Sequence, residues 1–233
     1  MDTDERAPGG HAVRTVGLAL AIVLVLVAIY YVSVWVLGRL ERFTVEQTEP
    51  MVSKIDGKVY RVHSKHQAPQ EAADTLARLN GQVIDLMRHL RTRYARGTDG
   101  LAYPERREAT LRLLERYNPD NLAENSPRDP TGDTSYCIDK GAIVAICLRD
   151  RGTTEQLIRD SGTLTFVTLH EMAHIAVDVK DHPTEFWSAF RFLLEEAEEM
   201  GLYKSPDYVK NPVTYCGVVV NYNPRLDPGL PSL

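Results

Sequence analysis

No charged residue occurs between Thr15 and Gly38, a run of 24 residues dominated by Val, Leu, Ile and Ala. At 1.5 Å rise per residue, about 20 apolar residues span a hydrocarbon core. Tyr30, Tyr31 and Trp35 stand near the far end, where aromatic side chains favour a membrane interface. No face of the run is polar, which argues against an amphipathic core helix. The run is too long for the apolar part of a signal peptide, and no small-residue cleavage site follows it. The expectation is a retained, single-pass transmembrane helix over 15–38, preceded by a short tail (1–14) and followed by a juxtamembrane linker (39–50). Arg6 and Arg14 lie before the run, and Arg39, Arg42 and Lys54 after it. That slight excess leans towards a cytoplasmic position for the rest of the chain.

The remainder reads as one domain over 51–222 and a Pro-rich tail, 223–233. The 233 residues are 43% hydrophobic and 25% charged. This is ordinary globular usage, and it argues against disordered, collagenous and disulfide-scaffold chains. The net charge of −5, with the acidic excess in 120–233, disfavours a globally basic nucleic-acid binder. Three cysteines permit one disulfide at most.

Turn chemistry and periodicity outline the domain. Two alternating runs around Asp56-Gly57 predict a hairpin within 51–62. Pro69 opens a helix whose apolar set Leu76, Leu79, Val83, Ile84, Met87 and Leu90 recurs at 3–4 spacing to about Arg96. A second helix starts at Pro104 and ends near Asn118-Pro119, and residues 119–133, rich in Pro, Asp and Asn, read as a loop. A second hairpin joins 135–138 to 142–148 through Asp139-Lys140-Gly141. Its second run is nearly all apolar and fits a strand buried on both faces. Helices follow over about 163–179, capped by Ser161 or Thr163, and over 183–200, stopped by Gly201. A strand over 214–220 comes last. Helices flanking a small sheet make an α+β domain.

The chemistry sits at 170–187. His170-Glu171-Met172-Ala173-His174 falls in the 163–179 helix. Two imidazoles at i and i+4 share one face, where both can ligate one metal ion. Glu171 lies about 100° around that helix, at 3.6 residues per turn. There it can serve as a general base without ligating. Seven His and sixteen Glu in this length produce such a pattern by chance in about one chain in seventy, so the motif alone is weak. Its helical context strengthens it, as does a third imidazole, His182, which follows His174 after seven intervening residues. Catalytic zinc takes three protein ligands and keeps one position open. Val177 and Lys180 stand where a metzincin has Gly and His, which excludes that class. His182 is the expected third ligand, with Glu195 or Glu196 as the alternatives. Asp178 is a candidate acceptor for an imidazole N–H. The competing reading of the motif is two hydrogen-bonded core histidines.

The string HEMAHIAVDVKDHPTEFW resembles the HExxH…His-x-x-x-Phe-Trp signature of WLM/SprT-like zinc metallopeptidases. His170, Glu171, His174, His182, Phe186 and Trp187 match it. TSYCIDKG, ICLRD, FVTLHEMAH, EFWSAFRFLLEEA and PVTYCG extend the likeness over roughly 51–220, to uncharacterised putative metallopeptidases of large DNA viruses and protists. The resemblance implies a zincin-like fold, Zn2+ bound by His170, His174 and His182, Glu171 as catalytic base, and a protein or peptide substrate. In such enzymes an edge strand beside the active-site helix holds extended substrate, and strand 142–149 is the candidate here.

The function expected is therefore a membrane-anchored zinc metallopeptidase, with partners that include the membrane through 15–38. The alternatives are a non-catalytic zincin-like binding or structural protein, such as one of a virion with the domain inside, and a protease acting on nucleoprotein. Nucleic acid is the disfavoured partner. Arg88, His89, Arg91, Arg93 and Arg96 cluster at one helix end, but cations stabilise a helix C-terminus in their own right. Tyr208 and Tyr215 are candidate oxyanion donors, with packed tyrosines as the plainer reading. Cys147 and Cys216 become neighbours if the last strand joins the sheet, and could then bridge; otherwise they are buried thiols.

Overall fold

The computed structural model describes residues 9–46, 48–126, 134–151 and 156–233, with side chains undescribed at 9–16, 19 and 37–46. Residues 1–8 of the expected tail and 127–133 of the expected loop lie outside the described residues. So do the side chains of Arg6, Arg14, Arg39 and Arg42, on which the orientation rested. The chain divides into two units, Met1–Phe43 and Thr44–Leu233.

The first unit consists of helix α1, which runs Gly9–Glu46. Its described apolar side chains, Leu18 to Val36, are all exposed. The expected transmembrane helix over 15–38 is corrected: no helix among the described residues is long and apolar enough to cross a membrane. The single-pass membrane localisation inferred from the run falls with it.

The second unit is α+β. Strands β1 (Glu49–Val52) and β2 (Val59–Val62) form the first hairpin. Helix α2 (Pro69–Leu90) continues through a π-helical turn, Arg91–Ala95, to the short helix α3 (Asp99–Ala102), and α4 spans Pro104–Arg116. Strands β3 (Leu122–Asn125), β4 (Tyr136–Ile138) and β5 (Ile143–Cys147) complete a five-stranded mixed sheet of order β1-β2-β3-β5-β4. The outer pairs β1/β2 and β4/β5 are antiparallel; β2/β3 and β3/β5 are parallel. Helices α5 (Ser161–Ala176) and α6 (Thr184–Glu199) follow. The core is continuous from Tyr60 and Val62 of the sheet through Leu76, Leu86 and Leu90 of α2 to Phe166, Met172, Phe186 and Phe190 of the last two helices.

Three expectations are decided here. Strand 142–149 was the candidate to hold substrate, with an apolar run that leaned towards a central place; β5 is central, between β3 and β4, and β4 is the edge. The loop expected over 119–133 contains β3, all four residues of which are buried. Its polar pair hid it: Glu124 is fully buried against Arg149, with Oε1 2.6 Å from Nε. Glu124 also accepts from the His63 amide at 2.8 Å, and Arg149 donates to the Gln67 carbonyl. Burial pushes the Glu124 carboxyl up against the pull of Arg149. The third change concerns the last strand, which is a separate two-stranded hairpin, β6 (Val213–Tyr215) and β7 (Val218–Val220). Cys216 and Gly217 make its turn with φ of 46° and 84°, the paired left-handed conformation that a two-residue hairpin requires.

Cys147 and Cys216 are bridged although that hairpin does not join the sheet, with Cα atoms 6.5 Å apart. Beside the bridge, the Tyr215 hydroxyl donates to the Cys147 carbonyl at 2.7 Å and lies 2.7 Å from Ser135 Oγ, which accepts from the Cys147 amide at 3.0 Å. Cys137 is a free, half-buried thiol. The Pro-rich tail is held against α6: Arg191 donates to the carbonyls of Asp227 and Leu230, and Ser188 to that of Pro231.

Two stability predictions follow. Breaking one side of a buried ion pair strands the other charge, at a cost of about 3–5 kcal/mol. Arg149→Met should therefore lower the urea-unfolding free energy by that amount, and a loss within error of zero would refute the pair's role. The disulfide closes a loop across 69 residues of sequence, for which chain entropy predicts about 4 kcal/mol. Cys147→Ser with Cys216→Ser should lose about that much in urea, and added thiol should bring the wild type down to the same midpoint without changing the double variant.

Candidate metal centre

Helix α5 begins at Asp160, which caps it by accepting from the Gly162 and Thr163 amides at 3.0 and 3.3 Å. The cap thus precedes the expected Ser161 or Thr163. The helix is buried along most of its circumference: Thr163 to Leu169, Glu171 to Ala173, Ile175 and Ala176 are all inside. His170 and His174 are only half buried and form its open stripe. Val177 is extended and ends the helix, three residues sooner than periodicity predicts. The chain then turns through Asp181, in the left-handed region at φ 57°, and presents His182 across from the helix.

The three imidazoles converge. Their donor nitrogens all lie within 4.8 Å of one another. His170 Nε2 and His182 Nε2 are 3.1 Å apart. Phe186, fully buried on the first turn of α6, is the hub between them, with ring centroids 4.8, 4.3 and 4.6 Å from His170, His174 and His182. Trp187 flanks His182 at 5.6 Å. The aromatic pair after His182 is therefore the floor on which the imidazoles stand.

Burial, reinforced by the neighbouring imidazoles, holds His170 down at about 3 and His174 at about 4; burial also lowers His182. All three are neutral at pH 7 and keep a lone pair for a cation. Zinc–nitrogen bonds of 2.0–2.1 Å in a tetrahedron put donor atoms about 3.3 Å apart, close to the His170–His182 separation. The residues fit zinc. The alternative third ligands do not join them. Glu195 is paired with Arg106 and Arg191 at 2.8 and 3.1 Å. Glu196 accepts from Tyr94 at 2.7 Å and Arg93 at 3.1 Å and bonds His89 at 2.9 Å.

Glu171 is 3% exposed and lines the same cleft as His170, His174 and His182, which has a volume of about 480 Å³. The opposite wall is the edge strand β4 with its turn: Ser135, Tyr136, Cys137, Asp139 and Lys140. Asp178 does not serve an imidazole; Arg112 and Arg116 hold it at 3.1 and 2.6 Å and keep its carboxyl below the usual range. Neither candidate oxyanion tyrosine reaches the cleft. Tyr215 is committed to Ser135 and Cys147, and Tyr208 packs on Phe166 at 5.0 Å. In the basic cluster, Arg88 pairs with Asp85 and Arg93 with Asp99, Glu196 and Glu199. Residue types had singled out the ligands, but not Lys140, whose signal was only that of a hairpin-turn residue.

No protein-family model matches the chain, and no solved structure matches it. Two viral relatives do. "Uncharacterized protein 136R" of Invertebrate iridescent virus 6 is 37% identical over 86 residues, 36% of this chain and 46% of that protein. "Uncharacterized protein R325" of Acanthamoeba polyphaga mimivirus is 30% identical over 199 residues, 85% of this chain and 95% of that protein. At that identity and coverage, the chain belongs to the same family as the mimivirus protein.

Proposed function

We propose that the chain is a zinc-dependent metallopeptidase of the kind its HExxH…His-x-x-x-Phe-Trp string resembles. The observation that carries this reading is the convergence of three neutral imidazoles beside a buried carboxyl in an open cleft. Zinc held by His170, His174 and His182 would act there as a Lewis acid and bring the pKa of water towards 7. Glu171 takes the proton of the attacking water on its carboxylate and returns it to the leaving nitrogen. Among the described residues β4 is the edge strand of the sheet, the position at which an extended peptide can add as a further strand.

The donor count favours catalysis over a purely structural metal. Structural zinc sites are closed by four protein ligands, whereas catalytic sites have three. The donor group found among the described residues has three.

The test is zinc content and casein cleavage for the full chain and three variants. One zinc per wild-type chain is expected, retained in Glu171→Gln and lost in His174→Ala and His182→Ala. Glu171→Gln should cleave at least roughly 10²-fold more slowly, the low end of general-base effects. A folded wild type that takes up no zinc refutes the proposal. Zinc retained without cleavage of casein or of a peptide library would favour the binding protein.

A further inference from the structure

We infer that Lys140 is a positioning residue for the metal ligands: its ammonium ties the end of helix α5, at His174, to the loop that carries His182. The inference rests on the zinc reading of that site and extends it to a residue outside the ligand set.

The geometry is direct. Lys140 Nζ donates to the His174 carbonyl at 3.0 Å and to the Val179 carbonyl at 2.8 Å. The first is one of the last carbonyls of α5, which a helix leaves without intrahelical partners. The second lies three residues before His182. One cation therefore grips the backbone of one ligand and the approach to another. Between these two carbonyls the chain has left the helix at Val177 and has not yet reached α6, so the loop has no ladder of its own.

The turn from which Lys140 reaches is itself braced. Asp139, Lys140 and Gly141 have φ of 46°, 55° and 111°, three successive residues in a region that side chains rarely adopt. The amides of Gly141 and Ala142 both donate to the Ile138 carbonyl, at 3.1 and 3.0 Å. A Cβ at Gly141 would meet the Arg116 carbonyl oxygen at 2.9 Å and Ile175 Cδ1 at 3.3 Å, so the turn is wedged between α4 and α5. Arg116 completes the brace from the other side, donating to the Ile175 carbonyl at 3.2 Å and pairing with Asp178. The loop before His182 is thus held at Val179 by Lys140 and at Asp178 by Arg112 and Arg116. Of these three cations, only Lys140 comes from the strand turn that forms the opposite wall of the cleft. Placement of His182 is in this way coupled to the wall formed by β4.

The experiment measures zinc affinity of the full chain by chelator competition, for the wild type, Lys140→Met, Lys140→Arg, His182→Ala and the double variant Lys140→Met/His182→Ala. Removing an outer support of a ligand set costs roughly 10–100-fold in metal affinity, the loss expected for Lys140→Met. Lys140→Arg keeps donors and should recover most of it. In the His182→Ala background, where the residual weak binding by His170 and His174 is read at raised zinc, the same substitution should cost less than about threefold, because the ligand it positions is gone and coupled sites are not additive. Wild-type affinity in Lys140→Met overturns the inference while leaving the zinc site intact. Equal losses with and without His182 also overturn it, since Lys140 would then merely stabilise α5. A folded wild type that binds no zinc overturns the site reading and this inference together.

Discussion

The burial of helix α5 is the constraint on which the domain depends. Nearly every side chain from Thr163 to Ala176 is inside, enclosed by α2, α4, α6 and the β4–β5 end of the sheet. Fully burying a large apolar side chain is worth about 1.5–3 kcal/mol, so Phe166, Leu169, Met172 and Ile175 alone give this helix strong reason to stay enclosed. A helix enclosed in this way has few directions in which a ligand can be offered to solvent. His170 and His174 occupy the stripe that is left, and β4 limits its width. The candidate metal centre lies where the packing is incomplete, and its opening follows from the same packing.

Several polar groups inside this core are paired with one another across elements. Glu124 and Arg149 face each other between sheet strands and the loop before α2. Asn80 on α2 donates to the Tyr60 hydroxyl at 2.8 Å and accepts from the Tyr117 hydroxyl at 2.8 Å, which joins hairpin, helix and the segment after α4. Tyr215, Ser135 and the Cys147 backbone do the same for the C-terminal hairpin. Such networks contribute modest net stability when complete and cost heavily when cut. They also fix β4 in place from its Ser135 end, which matters because β4 is the far wall of the cleft.

Much of this was legible in the chain itself. Asp56-Gly57 and Asp139-Lys140-Gly141 announced both hairpins because the turn conformations they make are demanding, and Pro69, Pro104 and Gly201 marked helix ends for equally local reasons. The candidate ligands were legible because i, i+4 spacing is a statement about one helix face. What escaped were features set by distant partners. Leu122–Asn125 reads as loop until Arg149 is placed against Glu124. The 142–149 run leans only slightly towards a central place, and β3 on its other side decides the matter. Asp178 stands at ligand-support spacing from His174, but the helix ends first and two arginines of α4 take it. The uncharged stretch at 15–38 was correctly legible as helix and wrongly as a membrane span.

Backbone strain is concentrated at the same place. Among the described residues, five that are not glycine have positive φ: Ala68, Asp139, Lys140, Asp181 and Cys216. Three of them, Asp139, Lys140 and Asp181, line the cleft. Left-handed conformations at such residues persist only where surrounding contacts over-determine them, and they gather at ligand clamps and active sites. Here the contacts are visible: the Ile138 carbonyl and the tight fit of Gly141 hold the first two, and Lys140 with its two carbonyl acceptors reaches towards the third. A pair of buried histidines with no ligand to serve would need neither the turn nor the brace. The strain and the brace have a physical reason if the loop must deliver His182 to within hydrogen-bond distance of His170 and hold it there.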